Sequence, residues 1–216
     1  MSLVHRIRPP STPSPRPPLL VLLHGIGADE EDLFGLAPAL DPRFLVISPR
    51  APHVLRPTGY AWYAIDWSTR PPTVDSDQAE ASRGLLAAFV EETVARHGAD
   101  PGRVFLLGFS QGAIMALGLA LARPDLVRGV VAHSGRLLPS FLSGAAPAQA
   151  LSGLEVLVQH GGADDVVPVE RGRESRDLLA PLLGERTSYR EYDLGHSISE
   201  ESLADAAAWL AARAGP

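Results

Sequence analysis

One serine lies in a sequence pattern that is typical of an enzymatic nucleophile. Residues 108–112 read Gly-Phe-Ser-Gln-Gly, so Ser110 stands between glycines two positions before it and two positions after it. An apolar run precedes this motif, and a stretch with helical periodicity begins at Gln111. A serine on such a strand-to-helix turn has a strained backbone that exposes its hydroxyl, and the glycines let strand and helix pass closely. The pattern therefore predicts that Ser110 is a nucleophile rather than an ordinary helix N-cap.

A serine hydroxyl becomes reactive when an imidazole takes its proton and a carboxylate orients that imidazole. In enzymes with this turn, the acid and then the histidine follow the serine, each after a later strand. His196 follows the last apolar run, and a capping box at residues 197–200 is expected to begin a helix directly behind it. Asp164 and Asp165 follow the preceding run. Spacing alone does not decide which of the two carboxylates orients the imidazole. The other one is expected to cap the next helix.

The negative oxygen of a tetrahedral intermediate needs hydrogen-bond donors that are in place before the reaction. The backbone amides of Gln111, at a helix start, and of Ile26, in a glycine-containing loop after the first apolar run, are the expected donors. Gly25 and Gly27 also match the start of a dinucleotide fingerprint. Its third glycine position holds Glu30, and no acid follows about 20 residues on, so we exclude a nucleotide site.

The elements that must position these residues alternate between two patterns. Runs rich in Val, Leu and Ile predict strands, and amphipathic stretches between them predict helices. Strands that are apolar almost throughout belong in a sheet covered on both faces, and such sheets bind ligands beyond their strand C-termini. We therefore expect a parallel, doubly wound α/β domain over residues 19–216, preceded by an edge strand and a proline-rich connector in residues 1–18. The predicted strands cover residues 19–23, 44–48, 104–109, 129–133, 155–159 and 187–192, and the helices cover residues 30–40, 75–97, 111–123, 169–183 and 199–213.

Composition excludes several kinds of chemistry. The chain has no Cys and no Lys, so a thiolate nucleophile, a Schiff-base lysine and a P-loop lysine are all excluded. The net charge of −6 and the lack of a basic face argue against a nucleic-acid partner. No apolar run reaches the 18 or so residues of a membrane span, and no signal-like stretch is visible, so we expect a cytoplasmic protein.

The remaining histidines do not have the spacing of a metal site. No pair among them has the spacing of a known zinc motif. His24, His133 and His160 each end a predicted strand, and we expect them to be hydrogen-bonded structural groups beneath the site. The long irregular stretch over residues 49–74 is rich in aromatic side chains and is interpreted as a binding lip.

Four segments together resemble the phospholipase/carboxylesterase family, which includes the acyl-protein thioesterases. The resemblance spans about residues 19–210 and implies an α/β-hydrolase fold without a large cap domain and without a cofactor. It also implies that Asp164, the fourth residue after a strand-ending histidine, is the acid, and that a tryptophan loop lies beside the site. The matching segments are residues 23–29 (LHGIGAD), 108–113 (GFSQGA), 160–168 (HGGADDVVP) and 195–198 (GHSI).

The hypothesis is a serine carboxylesterase that hydrolyses short- to medium-chain esters through an acyl-enzyme intermediate. Its substrates are expected to be small molecules. The acyl-groove residues of long-chain thioesterases have no clear counterpart in residues 49–74, which is why a shorter chain is expected. Trp62, Tyr60 and Tyr63 are expected to line the substrate pocket, and an exposed rim around Trp62 would permit a homodimer. Two alternatives stay open: a thioesterase or lactone hydrolase with the same triad, and a non-catalytic binding module on the same fold.

Overall fold

Strands and helices alternate along the chain as expected. The computed structural model describes residues 3–70 and 72–215. The strands are β1 (His5–Arg8), β2 (Leu19–Leu23), β3 (Leu45–Pro49), β4 (His53–Val54), β5 (Tyr60–Ala61), β6 (Ile65–Asp66), β7 (Thr73–Val74), β8 (Val104–Phe109), β9 (Gly129–His133), β10 (Glu155–Gly161) and β11 (Thr187–Tyr192). The helices are α1 (Ser76–His97), α2 (Gln111–Ala122), α3 (Pro139–Ser143), α4 (Val169–Leu183) and α5 (Glu200–Arg213).

Seven strands form one central sheet in the order β1-β3-β2-β8-β9-β10-β11. β1 runs antiparallel to β3 at one edge, with His5 opposite Pro49. The other neighbours pair in parallel, so the ends of β8, β9, β10 and β11 point to one edge of the sheet. The predicted fold class, an α/β-hydrolase fold with a mostly parallel sheet, is confirmed.

The two faces of the sheet pack against different helices, because side chains alternate along a strand. In β2, Leu19 and Val21 belong to a buried cluster with α1, α2 and α4. Leu20 and Leu22 belong to a second cluster with α5 and a 3₁₀ helix over Leu33–Ala39. Both faces of the strand are therefore covered, which explains why its residues are apolar throughout.

Two stretches differ from the sequence-based expectation. The helix predicted over residues 30–40 is the short 3₁₀ helix, and Pro38 lies inside it. A proline removes a backbone donor and clashes with the preceding turn, so a regular α-helix is not continued there. Residues 49–74 contain two small antiparallel hairpins, β4 with β5 and β6 with β7, rather than a fully irregular lip. Over residues 3–70 and 72–215, no helix has the length and apolarity to cross a membrane.

Candidate active site

Ser110 occupies a sharp turn between β8 and α2. Its backbone has φ 52° and ψ −117°, the strained conformation predicted for this turn, and the turn needs both flanking glycines. The residue is only 7% exposed, so the prediction that the turn exposes its hydroxyl is corrected. A Cβ on Gly112 would overlap the carbonyl oxygen of Leu23 and lie 2.7 Å from that of His24. A Cβ on Gly108 would lie 2.6 Å from the next turn of backbone in α2. Strand and helix pass this closely only because neither position carries a side chain.

The structure brings His196 to Asp164. His196 Nδ1 lies 2.8 Å from Asp164 Oδ2, and the side chain of Asp164 is fully buried. Asp164 Oδ1 accepts hydrogen bonds from the amides of Val166 and Val167, at 3.0 and 2.8 Å. Asp165 is exposed and does not contact His196. Neither aspartate caps α4, contrary to the expectation that one of them would, because both amides bonded to Asp164 precede that helix.

Opposing effects determine the pKa of Asp164. Burial alone would raise it, but the hydrogen bonds from His196 and from the two amides outweigh burial, so the pKa of Asp164 lies below its ordinary value. The carboxylate is therefore ionised at neutral pH. Because Nδ1 of His196 faces this carboxylate, Nδ1 carries the proton and Nε2 is free to accept one.

A second histidine contacts the same carboxylate. His160 Nε2 donates to the carbonyl of Val167 at 2.8 Å and lies 3.4 Å from Asp164 Oδ2. Its Nδ1 is buried without a hydrogen-bond partner among the described residues. His160 thus helps to hold Asp164 from beneath, as the position of a strand-ending histidine predicts.

The loops that carry Asp164 and His196 are bonded to each other. The amides of residues 162–163 donate to the carbonyls of Tyr192 and Leu194, at 2.8 and 3.0 Å. These backbone bonds fix the separation of the two loops independently of the Asp164 and His196 side chains. Asp164 and His196 therefore come together although they are 32 positions apart in the chain.

The helix behind His196 begins at Glu200, close to the predicted start at residue 199, but its capping box differs from the predicted one. The capping box is formed by Ser199 and Ser202, whose side chains each bond to the other's backbone amide, and not by residues 197–200. The predicted capping box was wrong because several overlapping pairs of Ser and Glu in this segment have the spacing of a capping box. Ser202 Oγ also lies 3.0 Å from Nε2 of the buried His133, which ties the start of α5 to the end of β9.

The hydroxyl of Ser110 and the imidazole of His196 are not hydrogen-bonded in this structure. Within the described part of the chain, Ser110 Oγ makes no hydrogen bond. The ring of His196 packs on that of Phe109, with 4.8 Å between ring centroids. Catalytic hydrogen bonds of this kind are often open without substrate and close when it binds.

Two backbone amides, at the start of α2 and in the loop after β2, are without a partner in the described ranges. The amides of Ile26 and Gln111 have no acceptor among the residues that the structure describes, and their role as oxyanion donors stays a prediction. The loop of Ile26 is held by Tyr60: the amide of Gly27 donates to the carbonyl of Tyr60 at 2.8 Å, and the amide of Tyr60 donates to that of Ala28 at 3.0 Å. Tyr60 therefore supports the loop of Ile26 through its backbone.

Trp62 and Tyr63 do not line an open pocket. They are 0% and 1% exposed, so the expectation that their rings form the pocket wall is corrected. The side chain of Gln111 fixes this segment: its Oε1 accepts from the amide of Trp62 at 2.7 Å, and its Nε2 donates to the carbonyl of Tyr63 at 2.8 Å. Trp62 Nε1 donates to the carbonyl of His24 at 3.0 Å. The rings of Trp62 and Tyr63 therefore pack in the protein interior beneath the site.

The exposed apolar side chains of residues 49–74 lie elsewhere. Val54 is 70% and Trp67 is 57% exposed, so the rim on which a homodimer was expected does not include Trp62. A depression of about 340 Å³ lies beside Val54 and does not reach Ser110. Its lining is formed by Pro52, His53, Val54, Leu55, Ala61, Ala64 and Gln78.

The histidines that end strands are buried and hydrogen-bonded, as predicted. His24 Nδ1 bonds to the carbonyl of Gly25 at 2.7 Å, and its Nε2 accepts from the amide of Ala51 at 3.0 Å. Burial lowers the pKa of His24, so its ring is neutral at neutral pH. Among the side chains in residues 3–70 and 72–215, no three His, Asp or Glu residues are arranged to hold a metal ion.

Sequence reasoning missed the role of the Gln111 side chain, having considered only its backbone. A signal was present: Gln111 is the only polar residue in α2, a helix that is otherwise Ala, Gly, Leu, Ile and Met. A polar side chain at the start of such a helix is buried and needs partners. Those partners belong to residues 49–74, whose position the sequence does not reveal.

Known proteins are similar over nearly the whole chain. The family model described as phospholipase/carboxylesterase matches residues 6–213. Esterase YpfH of Escherichia coli strain K12 is 28% identical over 201 residues, which cover 89% of this chain and 82% of that protein. Acyl-protein thioesterase 1 of Eremothecium gossypii is 30% identical over 227 residues, which cover 98% and 94%. The crystal structure of esterase PE8 has a TM-score of 0.84 at 29% identity, covering 99% of this chain and 100% of that one.

Proposed function

Because the chain belongs to the phospholipase/carboxylesterase family, we propose that it is a serine hydrolase that cleaves small carboxylic esters through an acyl-enzyme intermediate. The observation that carries this proposal is the 2.8 Å contact between His196 Nδ1 and Asp164 Oδ2, formed at the sheet edge where Ser110 stands on its strained turn. An oriented imidazole, a buried carboxylate and a serine hydroxyl are the parts that acyl transfer needs.

In the proposed reaction, Ser110 Oγ attacks the ester carbonyl while His196 Nε2 takes the hydroxyl proton. The amides of Ile26 and Gln111 bind the resulting oxyanion, and removal of one such donor typically costs about 3–4 kcal/mol of transition-state stabilisation. The intermediate collapses, the alcohol leaves with the proton from His196, and Ser110 stays acylated. Water activated by His196 then releases the acid, while Asp164 holds the imidazole in the required tautomer throughout.

A short to medium acyl chain is the proposed substrate. The burial of Trp62 and Tyr63 removes both rings from any acyl groove, which supports a shorter chain. A thioester is the second candidate, because a relative with 30% identity is named acyl-protein thioesterase 1. Ethyl butyrate and S-ethyl thiobutyrate, assayed side by side, distinguish the two: a higher kcat/KM for the oxygen ester favours the first proposal, and the reverse order favours the second.

Covalent labelling tests the nucleophile. A fluorophosphonate probe should label the wild-type protein, and Ser110→Ala should abolish both the labelling and the hydrolysis of 4-nitrophenyl butyrate. Ser134→Ala is the matched control, because Ser134 also ends a strand and has a positive φ of 50°, but is completely buried. The control should keep its labelling. Labelling of Ser110→Ala at the wild-type rate, or the absence of labelling in the folded wild type, would overturn the proposal.

A further inference from the structure

Three arginines stand out because nothing pairs with them. Most arginines of this chain hold a carboxylate or a backbone carbonyl, as Arg50 holds Glu30. Arg56, Arg70 and Arg136 have neither a hydrogen bond nor a carboxylate within 4 Å among the described residues. Arg56 and Arg70 are exposed, where water solvates them, whereas Arg136 is partly buried. A partly buried guanidinium without an anion keeps its hydrogen-bonding capacity free for a ligand.

The backbone next to Arg136 packs against the turn that carries Ser110. It follows Gly135, and a Cβ at Gly135 would lie 3.1 Å from the carbonyl oxygen of Ser110 and 2.6 Å from the Cβ of Ala113. Consecutive Cα atoms are 3.8 Å apart. The side chain of Arg136 therefore starts within one residue of the contact with Ser110.

The segment of Arg136 packs on the same side of the sheet as Tyr63, because the two residues that follow it, Leu137 and Leu138, belong to the buried cluster that contains Tyr63. Burial raises the pKa of Tyr63, while the positive charge of Arg136 and the amide of Gln111 act to lower it. Tyr63 belongs to the cluster with α1 and α2, whereas the ring under His196, that of Phe109, packs with the cluster of α5. The neighbours of Arg136 therefore pack on one face of the sheet, and the ring that contacts His196 packs on the other.

This arrangement determines which half of an ester would meet Arg136. His196 must protonate the leaving alcohol, so the alcohol half lies on its side of the serine. The acyl half then extends to the opposite side, toward Arg136. A planar guanidinium binds a carboxylate with two parallel hydrogen bonds, and an unpaired cation attracts an anion locally even in a protein of net charge −6.

We propose that Arg136 binds a carboxylate at the far end of the acyl chain, so that monoesters of dicarboxylic acids are preferred substrates. One unpaired cation balances one negative charge, which favours a carboxylate over a phosphate dianion. The inference rests on the proposed esterase function and adds a substrate class to it.

Two esters with acyl chains of six carbons test the inference. Methyl hexanoate ends in a methyl group and monomethyl adipate ends in a carboxylate, and the release of methanol measures both. Wild type should show the higher kcat/KM for monomethyl adipate. Arg136→Gln should lower kcat/KM for monomethyl adipate by about 10- to 100-fold, the loss expected for a charge-assisted hydrogen bond. The loss should appear in KM, because a remote carboxylate is bound equally in the ground and transition states.

The controls separate a binding residue from a general charge effect. Arg136→Gln should change kcat/KM for methyl hexanoate less than twofold, and Arg56→Gln, which removes an exposed unpaired arginine, should leave both esters unaffected. Equal losses on both esters, an unchanged KM for monomethyl adipate, or an equal effect of Arg56→Gln would overturn the inference while leaving the esterase function intact. Turnover of neither ester by the folded wild type would overturn the proposed function and this inference together.

Discussion

His196 Nδ1 donates to Asp164 Oδ2 across 2.8 Å, and the opposite oxygen of that carboxylate accepts two backbone amides. The aspartate is therefore anchored on one side and presents its second oxygen to the imidazole. Its neighbour in the chain, Asp165, has an identical side chain but points to solvent. One carboxylate of the pair has the geometry to orient a base, and the other does not.

Asp164→Asn should lower kcat for an activated ester by on the order of 10⁴-fold, because the amide cannot hold the imidazole in the correct tautomer or stabilise its charged form. Asp165→Asn is the matched control and should keep kcat within about twofold. Steady-state hydrolysis of 4-nitrophenyl butyrate by the two purified variants makes the comparison. Comparable losses in both variants would contradict the assignment of Asp164.

Gln111→Ala should destabilise the protein by about 2–4 kcal/mol, because it leaves the amide of Trp62 and the carbonyl of Tyr63 buried without partners. Urea unfolding measures the change. Gln149→Ala is the control, since Gln149 is exposed and its side chain caps nothing, and it should stay within about 0.5 kcal/mol of wild type. A Gln111→Ala variant as stable as the control would show that the hydrogen bonds of Gln111 to Trp62 and Tyr63 do not stabilise the fold.

Gly112→Ala should prevent folding or cost more than about 4 kcal/mol, because its Cβ would overlap the backbone of β2, which cannot move aside. Gly84→Ala makes the same chemical change on the exposed side of α1, where nothing lies within 4 Å of the new Cβ. That control should stabilise the protein by about 0.5–1 kcal/mol through helix propensity. Thermal unfolding of both variants gives the comparison, and a normal Tm for Gly112→Ala would contradict the close packing at the turn.

Acid should destabilise the protein through His133. Burial lowers the pKa of His133 to about 4, whereas an unfolded histidine titrates near 6.5. Below pH 6.5 this histidine becomes protonated in the unfolded chain but stays neutral in the folded protein. Its contribution to the free energy of unfolding is therefore fully present above pH 6.5 and is lost as the pH falls toward 4. The loss at pH 5 is on the order of 2 kcal/mol.

Urea midpoints at pH 7.5 and pH 5 check this dependence. In His133→Gln, the difference between the two pH values should shrink by that amount, while the contribution of His24, whose pKa burial also lowers, remains in both proteins. The NMR shift of the His133 ring proton in the wild type gives a second readout that needs no variant. Titration of that proton near pH 6.5 would contradict the prediction.

The fold was predictable because its signals are local. Apolar runs such as residues 104–109 bury all their side chains only inside a sheet that is covered on both faces. The glycines on either side of Ser110 allow a backbone turn that few other residues permit. The order of serine, acid and histidine then follows from the order of the strands. These features depend on neighbours within a few positions of the chain, so the sequence alone reveals them.

Other features depend on contacts between distant segments. Spacing alone left Asp164 and Asp165 open, and only the resemblance to a family favoured Asp164. Nothing near Trp62 in the chain indicates that the side chain of Gln111, 49 positions away, bonds to its amide. The missing partner of Arg136 is likewise invisible in a sequence, because ion pairing depends on which carboxylates lie nearby in space.

The amino-acid order thus specified the alternating elements, the strained turn and the candidate reactive side chains, since each follows from backbone preferences and hydrophobic periodicity. The contact of His196 with Asp164 rather than Asp165, the burial of the tryptophan ring and the lack of a partner for Arg136 required the folded chain. They arise where loops from separate strands converge at one edge of the sheet, and the geometry there is the joint result of packing across the whole domain.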